Sequence, residues 1–250
     1  MFKKLFSRKL WVFLFSFFLC SCSEMKWDRQ ICSVGLDPSW FPLGLEGKEA
    51  YVLGFVDELL DQISKRSHLD FVRINMSWDN TVDGLKAGKY HAIISAIPKN
   101  LETEKMFDFS DALVLTGPRL VVRADSKIKK LEEIKDGYIG CIKFSKEDLI
   151  IQMRQNVFPF YYNSTVQILQ GVLLSEVDAG LVNGIPAISY VSDLYQDELI
   201  LSEGPFGEDG IRFITKKNTN EAILKKFDKA LEDYKKTKDY QNLLKKWMLN

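Results

Sequence analysis

The sequence has few of the residues from which metal sites and nucleophilic centres are built. Among its 250 residues there are only two histidines and four cysteines. No spacing of histidine, cysteine or paired carboxylates resembles a metal site, and the chain has no Gly-x-Ser-x-Gly, phosphate-loop or His-x-x-x-His motif. We therefore expect no metal, no other cofactor and no enzymatic activity.

The sequence also lacks an excess of charge of either sign. Its 34 basic and 34 acidic residues give a formal net charge of zero. Basic residues form no run beyond pairs such as Lys225 and Lys226. A nucleic-acid partner requires a concentrated positive surface, so the charge pattern argues against nucleic acid.

Residues 1–21 differ from the rest because they hold four basic and no acidic residues. Their apolar stretch "LWVFLFSFFLCS" has the size of a signal-peptide core and is too short to span a bilayer. It ends in "LCSC", which resembles the lipobox of bacterial lipoproteins, where Cys22 would become the lipidated first residue. An ordinary signal peptide with incidental cysteines is the alternative. The lipobox reading predicts a periplasmic protein held at a bacterial membrane, since each buried acyl methylene contributes ~0.8 kcal/mol.

Apart from Cys22, only Cys32 and Cys141 remain beyond this leader. Both lie in apolar, strand-like runs, "ICSVGL" and "YIGCIKF". This setting favours small core residues over a disulfide or a metal pair, although the sequence leaves the alternatives open.

The pattern after Met25 alternates strands and helices. The runs "QICSVGL", "LDFVRIN" and "YHAIISAI" are typical of strands, and helical patterns separate them. A second such unit follows, with helices capped by Ser145 and Ser164, and two amphipathic helices close the chain. Crossovers of this length predict parallel sheets with helices on their faces. The polar segment after Pro98 is compatible with a helix, and no element is assigned to residues 198–218.

Two similar α/β units therefore follow one another, joined by extended segments near 114–120 and 202–210. Two cores linked in this way would leave a cleft between them. Ligands in open α/β sheets lie beyond the carboxyl ends of the strands, so this cleft is the predicted binding site.

Five segments carry a family resemblance by their order and spacing. They are "VGLDPSWFPL", "LGFVDELLDQIS", "WDNTVDGLKAGKYHAIISAI", "FDFSDAL" and "LVVRADSKIKKLEEIKDGYIG". With these segments the chain resembles the extracytoplasmic solute-binding proteins of ABC importers, in the polar amino-acid branch that takes glutamine, arginine or histidine. The resemblance implies a two-lobed periplasmic-binding-protein fold of type II, each lobe a mostly parallel sheet flanked by helices. Lobe 1 would comprise residues 22–114 plus 205–250, and lobe 2 residues 115–204.

The resemblance implies a membrane-tethered receptor. Its lobes would close by a hinge motion around an amino acid or a related small polar solute and present it to an ABC permease in the inner membrane. Two alternatives stay open. One is a sensing or interaction lipoprotein with a degenerate site, and the other is an enzyme on the same fold with Asp37, Glu208 or Asp209 as its acid or base.

The resemblance fails at the groups that hold the ligand's charges. The family's arginine, which clamps the α-carboxylate, corresponds to Thr103 here. The aspartate that pairs with the ammonium corresponds to Asn183. The family's Gln-Gly-Thr-Thr turn aligns with residues 143–146, where Phe144 takes the place of a glycine. Losing both halves of the clamp suggests a changed ligand or a changed geometry.

Other groups remain as candidates. Trp40 and Phe41 would form aromatic walls, or would simply cover the strand ends. Lys143 or Lys99 would supply positive charge, unless Lys143 is only a solvated lysine. Asp37 resembles a residue that meets the ligand's amino group, or is a plain turn former. The predicted site residues are Asp37, Trp40, Phe41, Ser95, Ala96, Pro98, Thr103, Ile142, Lys143, Ser145 and Asn183.

Overall fold

The computed structural model describes residues 29–41 and 43–250. The predicted signal peptide, residues 1–21, and the predicted lipidation site Cys22 lie outside the described residues. No helix in the described part of the chain is long and apolar enough to cross a membrane.

The described part of the chain forms ten strands and seven α-helices. In order, they are β1 (Gln30–Leu36), α1 (Glu49–Ser67), β2 (Leu69–Asn75), α2 (Trp78–Lys86), β3 (Ala92–Ser95), β4 (Phe107–Leu115), β5 (Arg119–Arg123), β6 (Gly137–Ile142), α3 (Lys146–Gln152), β7 (Val157–Tyr162), α4 (Thr165–Leu173), β8 (Ala179–Val182), α5 (Gly184–Asp193), β9 (Leu199–Glu203), β10 (Gly210–Lys216), α6 (Glu221–Lys235) and α7 (Lys238–Lys246).

The strands form two five-stranded sheets with the same kind of topology. Sheet 1 has the order β2-β1-β3-β10-β4, and sheet 2 has the order β7-β6-β8-β5-β9. In sheet 1 only β10 runs antiparallel to its neighbours, and in sheet 2 only β5 does. Each sheet is therefore mostly parallel, which confirms the predicted two-lobed α/β fold.

The antiparallel strand of each sheet is the one that arrives from the other sheet. Residues 116–118, the first crossover, lead from β4 into β5. Residues 204–209, the second crossover, lead from β9 into β10. The crossovers are bonded to their surroundings, since the Phe206 N–H donates to the Pro118 carbonyl at 2.8 Å and the Thr116 N–H to the Asp209 carbonyl at 2.8 Å. The lobe boundaries at 114/115 and 204/205 stay a prediction.

Both faces of each sheet are covered, which explains the continuous apolar runs in the strands. In sheet 2, Leu120 and Val122 lie in one hydrophobic cluster and Val121 in another. In sheet 1, Ile94 contacts the large cluster beneath α1, α6 and α7, and Ile93 the opposite cluster. Alternate residues of a strand point to opposite faces, so each strand contributes to two cores.

The structure contains the helix caps and the buried cysteines that the sequence predicts. Ser145 caps α3 by accepting the N–H of Asp148, and Ser164 caps α4 by accepting the N–H of Gln167. Cys32 and Cys141 are both free and fully buried, and burial raises the pKa of each thiol to about 12. Both cysteines are thus small core residues.

In two segments the observed secondary structure differs from the secondary structure predicted from the sequence. The segment to which no element is assigned contains β9 and β10, and β10 is an inner strand of sheet 1. The polar segment after Pro98 forms only one 3₁₀ turn, Thr103–Lys105. The pairing of β9 and β10 is with strands distant in the sequence, which a local pattern does not contain.

Asp228 on α6 provides a pH-dependent prediction for the fold. Its carboxylate accepts the N–H of Asp111 at 3.0 Å, and burial raises its pKa to about 6. A raised carboxyl pKa stabilises the folded state below the unfolded pKa near 3.8, and this contribution is lost as the pH rises through about 6. We therefore expect Asp228→Asn, which keeps the acceptor without the charge, to stabilise the protein at pH 7.5 by about 1–2 kcal/mol after allowing for partial solvent screening.

Thermal unfolding at pH 7.5 and pH 4 measures this effect. The melting temperature of Asp228→Asn should exceed that of the unmodified protein at pH 7.5, and the difference should shrink at pH 4. Asp233→Asn, at an exposed position of the same helix, is the control and should change neither value. A lower melting temperature for Asp228→Asn at pH 7.5 would contradict the expected sign.

Candidate functional site

A cavity of about 280 Å³ lies between the two sheets. Sheet 1 and its loops contribute one wall, the two crossovers a second, and the loops of sheet 2 a third. We call this space the inter-sheet cavity. Its lining residues are Leu43, Ala96, Ile97, Pro98, Lys99, Thr116, Pro118, Lys146, Glu147, Asn183, Glu208, Asp209, Gly210 and Arg212.

A smaller cavity of about 160 Å³ shares Glu147 and Asn183 with the inter-sheet cavity. It extends beneath the carboxyl ends of β6 and β8, and Ile142 and Glu46 also line it. The two spaces therefore border the same residues of sheet 2. Both lie where parallel strands end, as expected for a ligand site in an α/β protein.

The end of β3 brings predicted residues into the inter-sheet cavity. Ala96 and Pro98, which follow β3 directly, line it. Ser95 is 4% exposed, and its hydroxyl accepts the N–H of Ile97 at 3.3 Å. Ser95 does not line the cavity, so the expectation that it faces the cleft is not met. β3 ends at Ser95, and the residues that follow, up to Pro98, are left open to the space beyond because proline cannot donate to the hydrogen-bonded ladder.

Thr103 lies outside the cavity lining, and its hydroxyl forms hydrogen bonds within its own loop. Its hydroxyl donates to the Pro98 carbonyl at 2.7 Å and accepts the N–H of Asn100 at 3.0 Å. These bonds close the turn that follows β3. The residue at the family's arginine position thus shapes the loop beside the cavity and does not point a charge into it.

The first aromatic candidate lies in the core. Trp40 is 1% exposed, packs in the large cluster of sheet 1 and donates its indole N–H to the Glu49 carbonyl at 3.3 Å. The prediction that Trp40 is a wall of the cleft is therefore wrong. Its neighbour Phe41 is 54% exposed and lines neither cavity. A bulky ring gains more by covering the strand ends than by facing water, which explains the burial of Trp40.

Asp37 lies at the start of the same loop, outside both cavities. Its Oδ1 accepts the N–H of Ser39 at 2.9 Å, which is the turn-forming role that aspartate plays before proline. Its Oδ2 is buried without a hydrogen-bond partner. One oxygen of the Asp37 carboxylate therefore has a hydrogen-bond partner in the protein, and the other has none.

The turn after β6, residues 143–145, contributes no residue to the lining of the inter-sheet cavity. Lys143 Nζ lies 5.0 Å from the ring centre of Phe144 and 5.5 Å from that of Tyr161, and Lys143 lines neither cavity. Phe144 has φ 61° and is 87% exposed, so the backbone keeps the left-handed conformation that suits a glycine. Ser145 is occupied by capping α3.

Asn183 is the predicted residue that both cavities share. It follows β8 directly and stands at the start of α5. Its Oδ1 is buried and has no hydrogen-bond partner. An amide oxygen in that state can accept a hydrogen bond from a ligand without displacing any protein contact.

Several charged residues that line the cavity are not among the site residues predicted from the sequence. Lys146 and Glu147 reach the cavity from α3, and Lys146 pairs with Asp209 of the second crossover. Arg212 reaches it from β10 and is 6% exposed. The available signal was an arginine inside the otherwise apolar run "GIRFI", since a charge seldom occupies a strand interior without a role. Cations and carboxylates line the same space, which suits a small molecule with both charges.

No group of three or more metal-binding side chains occurs among residues 29–41 and 43–250. The lining offers charged, amide and hydroxyl groups around a small space, an arrangement that recognises polar groups by hydrogen bonds.

Comparison with known proteins agrees with this architecture. The chain is 24% identical over 225 residues to the L-cystine-binding protein TcyJ of Escherichia coli, covering 88% of this chain and 83% of that protein. It is 22% identical over 205 residues to the arginine-binding extracellular protein ArtP of Bacillus subtilis, covering 78% of each. The unliganded open structure of the L-cystine solute receptor of Neisseria gonorrhoeae superposes with a TM-score of 0.72 at 19% identity, covering 88% of this chain and 94% of that one.

The family model for bacterial extracellular solute-binding proteins, family 3, matches residues 32–250, which is nearly all of the described chain. This agrees with the family resemblance in the sequence and with the two-lobed fold. The chain belongs to the bacterial extracellular solute-binding proteins of family 3.

Proposed function

We propose that this protein captures an amino acid or a related small polar solute in the inter-sheet cavity and delivers it to an ABC permease of the inner membrane. The observation that carries the proposal is a polar cavity to which both lobes contribute walls. A ligand held by both walls favours the arrangement in which they are close, which is the basis of hinge closure. The names of the relatives, which bind L-cystine and arginine, support this solute class.

The proposed ligand-contacting residues come from both lobes. Ala96 and Pro98 line the inter-sheet cavity from sheet 1, and Asn183 lines it from sheet 2. Ile142 lines the smaller cavity, which Asn183 shares. The two crossovers would act as the hinge between lobe 1, residues 22–114 plus 205–250, and lobe 2, residues 115–204. The relatives are solute-binding proteins, and we propose that this chain likewise has no enzymatic role.

Contacts beside the cavity are compatible with movement of the lobes. Lys48 Nζ lies 3.2 Å from Asp193, and the Thr165 hydroxyl lies 2.8 Å from Glu46. Both contacts join the loop after β1 to helices of sheet 2. An ion pair of this kind contributes about 0–1 kcal/mol and a side-chain hydrogen bond about 0.5–1.5 kcal/mol, so a ligand can outweigh them.

The location is also part of the proposal. The family is extracellular, and we propose that a lipid on Cys22 holds the protein to a membrane, facing the periplasm. The lipobox-like "LCSC" supports the tether. A tethered receptor remains close to its permease, which raises its effective concentration there.

Thermal unfolding with a ligand panel tests the proposed function. The purified protein is heated with each of the twenty common L-amino acids, L-cystine and L-ornithine. We expect at least one to raise the melting temperature by roughly 5–10 °C at a hundredfold excess over its Kd, since such binding contributes about 2.7 kcal/mol. The absence of a shift with every compound would contradict amino-acid capture and favour a sensing or interaction lipoprotein.

A further inference from the structure

We propose that Arg212 is the anion-binding residue of the inter-sheet cavity and takes the carboxylate of the bound solute. The inference rests on the proposed function and names a residue for it. Arg212 lies on β10, opposite Ser95 of β3 in the sheet register. Arg212 thus lines the cavity beside the end of β3, on the strand next to the one that leads to Thr103.

The guanidinium is fixed in place by neutral partners. Nη1 donates to the Ser110 carbonyl at 3.0 Å, and Nη2 donates to the Glu208 carbonyl at 2.9 Å. A guanidinium has five N–H donors, so these two bonds orient the group and leave donors available. Among the described residues, no carboxylate lies within 4.0 Å of its nitrogens. A charge that is 6% exposed and has no counter-charge is costly, and a bound anion would remove that cost.

The backbone around Arg212 is irregular in a way that supports a specific orientation of its side chain. The pairing of β10 with β4 shifts register on both sides of Arg212, between Ile211 and Arg212 and again between Arg212 and Ile214. Bulges of this kind redirect a side chain and are common beside binding sites. The Ser110 hydroxyl accepts the N–H of Phe213 at 3.0 Å and fixes the strand just after the irregularity.

Two further polar groups of the same cavity lack partners. The Thr116 hydroxyl is buried and unbonded, as is Oδ1 of Asn183, and both residues line the cavity. An amide oxygen only accepts, so Asn183 fits an ammonium or amide donor of the solute. A guanidinium on one side and an acceptor on the other fit an α-amino acid held by its two charges. Arg212 and Asn183 would thus replace the arginine and aspartate that the family resemblance implies.

The other cations of the cavity are less suited to this role. Lys146 is paired with Asp209, and Lys99 lies 3.7 Å from Glu104. Their side chains are 48% and 39% exposed. An exposed, paired ammonium contributes little to binding, whereas a desolvated planar guanidinium can form two parallel bonds to a carboxylate.

Titration calorimetry with three variants tests the inference. The twenty common L-amino acids and L-cystine are titrated as free acids, and each compound that binds is repeated as its carboxamide, which lacks the carboxylate charge. The unmodified protein should bind the acid on the order of 100-fold more tightly than the carboxamide. Arg212→Met should weaken acid binding by a similar factor, so that acid and carboxamide become nearly equal. Arg212→Lys should retain an intermediate affinity, about tenfold below the unmodified protein.

Lys99→Met removes the other candidate cation of the same cavity, and acid binding should fall far less than it does in Arg212→Met. If Lys99→Met loses binding while both Arg212 variants keep it, the inference is overturned and solute capture stands. Equal binding of acid and carboxamide by the unmodified protein also overturns it, even if Arg212→Met does not fold. Absence of binding by the unmodified protein to all of these acids contradicts the proposed function, and the inference with it.

Discussion

Replacing Trp40 by alanine is expected to lower the free energy of unfolding by about 3–5 kcal/mol. The indole is almost completely buried in the core of sheet 1, and its N–H bonds to the Glu49 carbonyl at the start of α1. Its removal leaves a cavity that the neighbouring side chains fill only in part. For a chain of this size the melting temperature should fall on the order of 10 °C, which differential scanning calorimetry measures.

The same variant separates the two sequence interpretations of Trp40. A core residue governs stability, so an amino acid that binds the unmodified protein should still bind the folded variant at low temperature. Phe41→Ala is the stability control, and its effect should be about 0.5 kcal/mol or less because the ring is half exposed. A Trp40→Ala protein with unchanged stability and abolished binding would restore the ligand-wall interpretation.

Replacing Gly117 by valine is expected to destabilise the protein by about 2–3 kcal/mol through overpacking. A Cβ atom at Gly117 would collide with the carbonyl oxygen of Phe206, which belongs to the second crossover. A Cβ atom added at Gly184, at the start of α5, would likewise collide with the carbonyl oxygen of Gly117. These neighbours are backbone atoms, so a side chain is accommodated only by separating the crossovers.

Solute binding should weaken in the Gly117→Val protein as well, because the flanking residues Thr116 and Pro118 line the inter-sheet cavity. Melting temperature and titration calorimetry measure the two effects. Gly44→Val is the stability control, since a Cβ there meets no atom within 4 Å. A Gly117→Val protein as stable as the control would show that the crossovers are not packed as described.

The parts of the fold that local patterns encode could be predicted from the sequence. Strand and helix alternation, the caps at Ser145 and Ser164 and the burial of Cys141 depend on nearby residues, and the structure reproduces them. Strand β10 could not be predicted in this way. Its place between β3 and β4 is decided by pairing with residues about 100 positions earlier, and Arg212 interrupts its apolar pattern.

The candidate site was predicted only in part for a related reason. Ala96, Pro98 and Asn183 follow strand ends, so their approach to the cavity follows from topology. Trp40 lies in a loop with no periodicity, and nothing in its neighbours tells whether it faces the core or the cleft. Arg212 and Thr116 join the cavity through sheet register and crossover geometry, which become visible only when the two lobes are assembled.

The position of β10 has a consequence for the order in which the protein folds. During synthesis, all strands of sheet 2 emerge as one unbroken stretch, whereas sheet 1 has a gap between β3 and β4 until residues 210–216 appear. Domains tend to fold as units as the chain emerges. Sheet 2 can therefore form first, and the arrival of the last forty residues joins β3 to β4, places Arg212 and completes the cavity in a single late event.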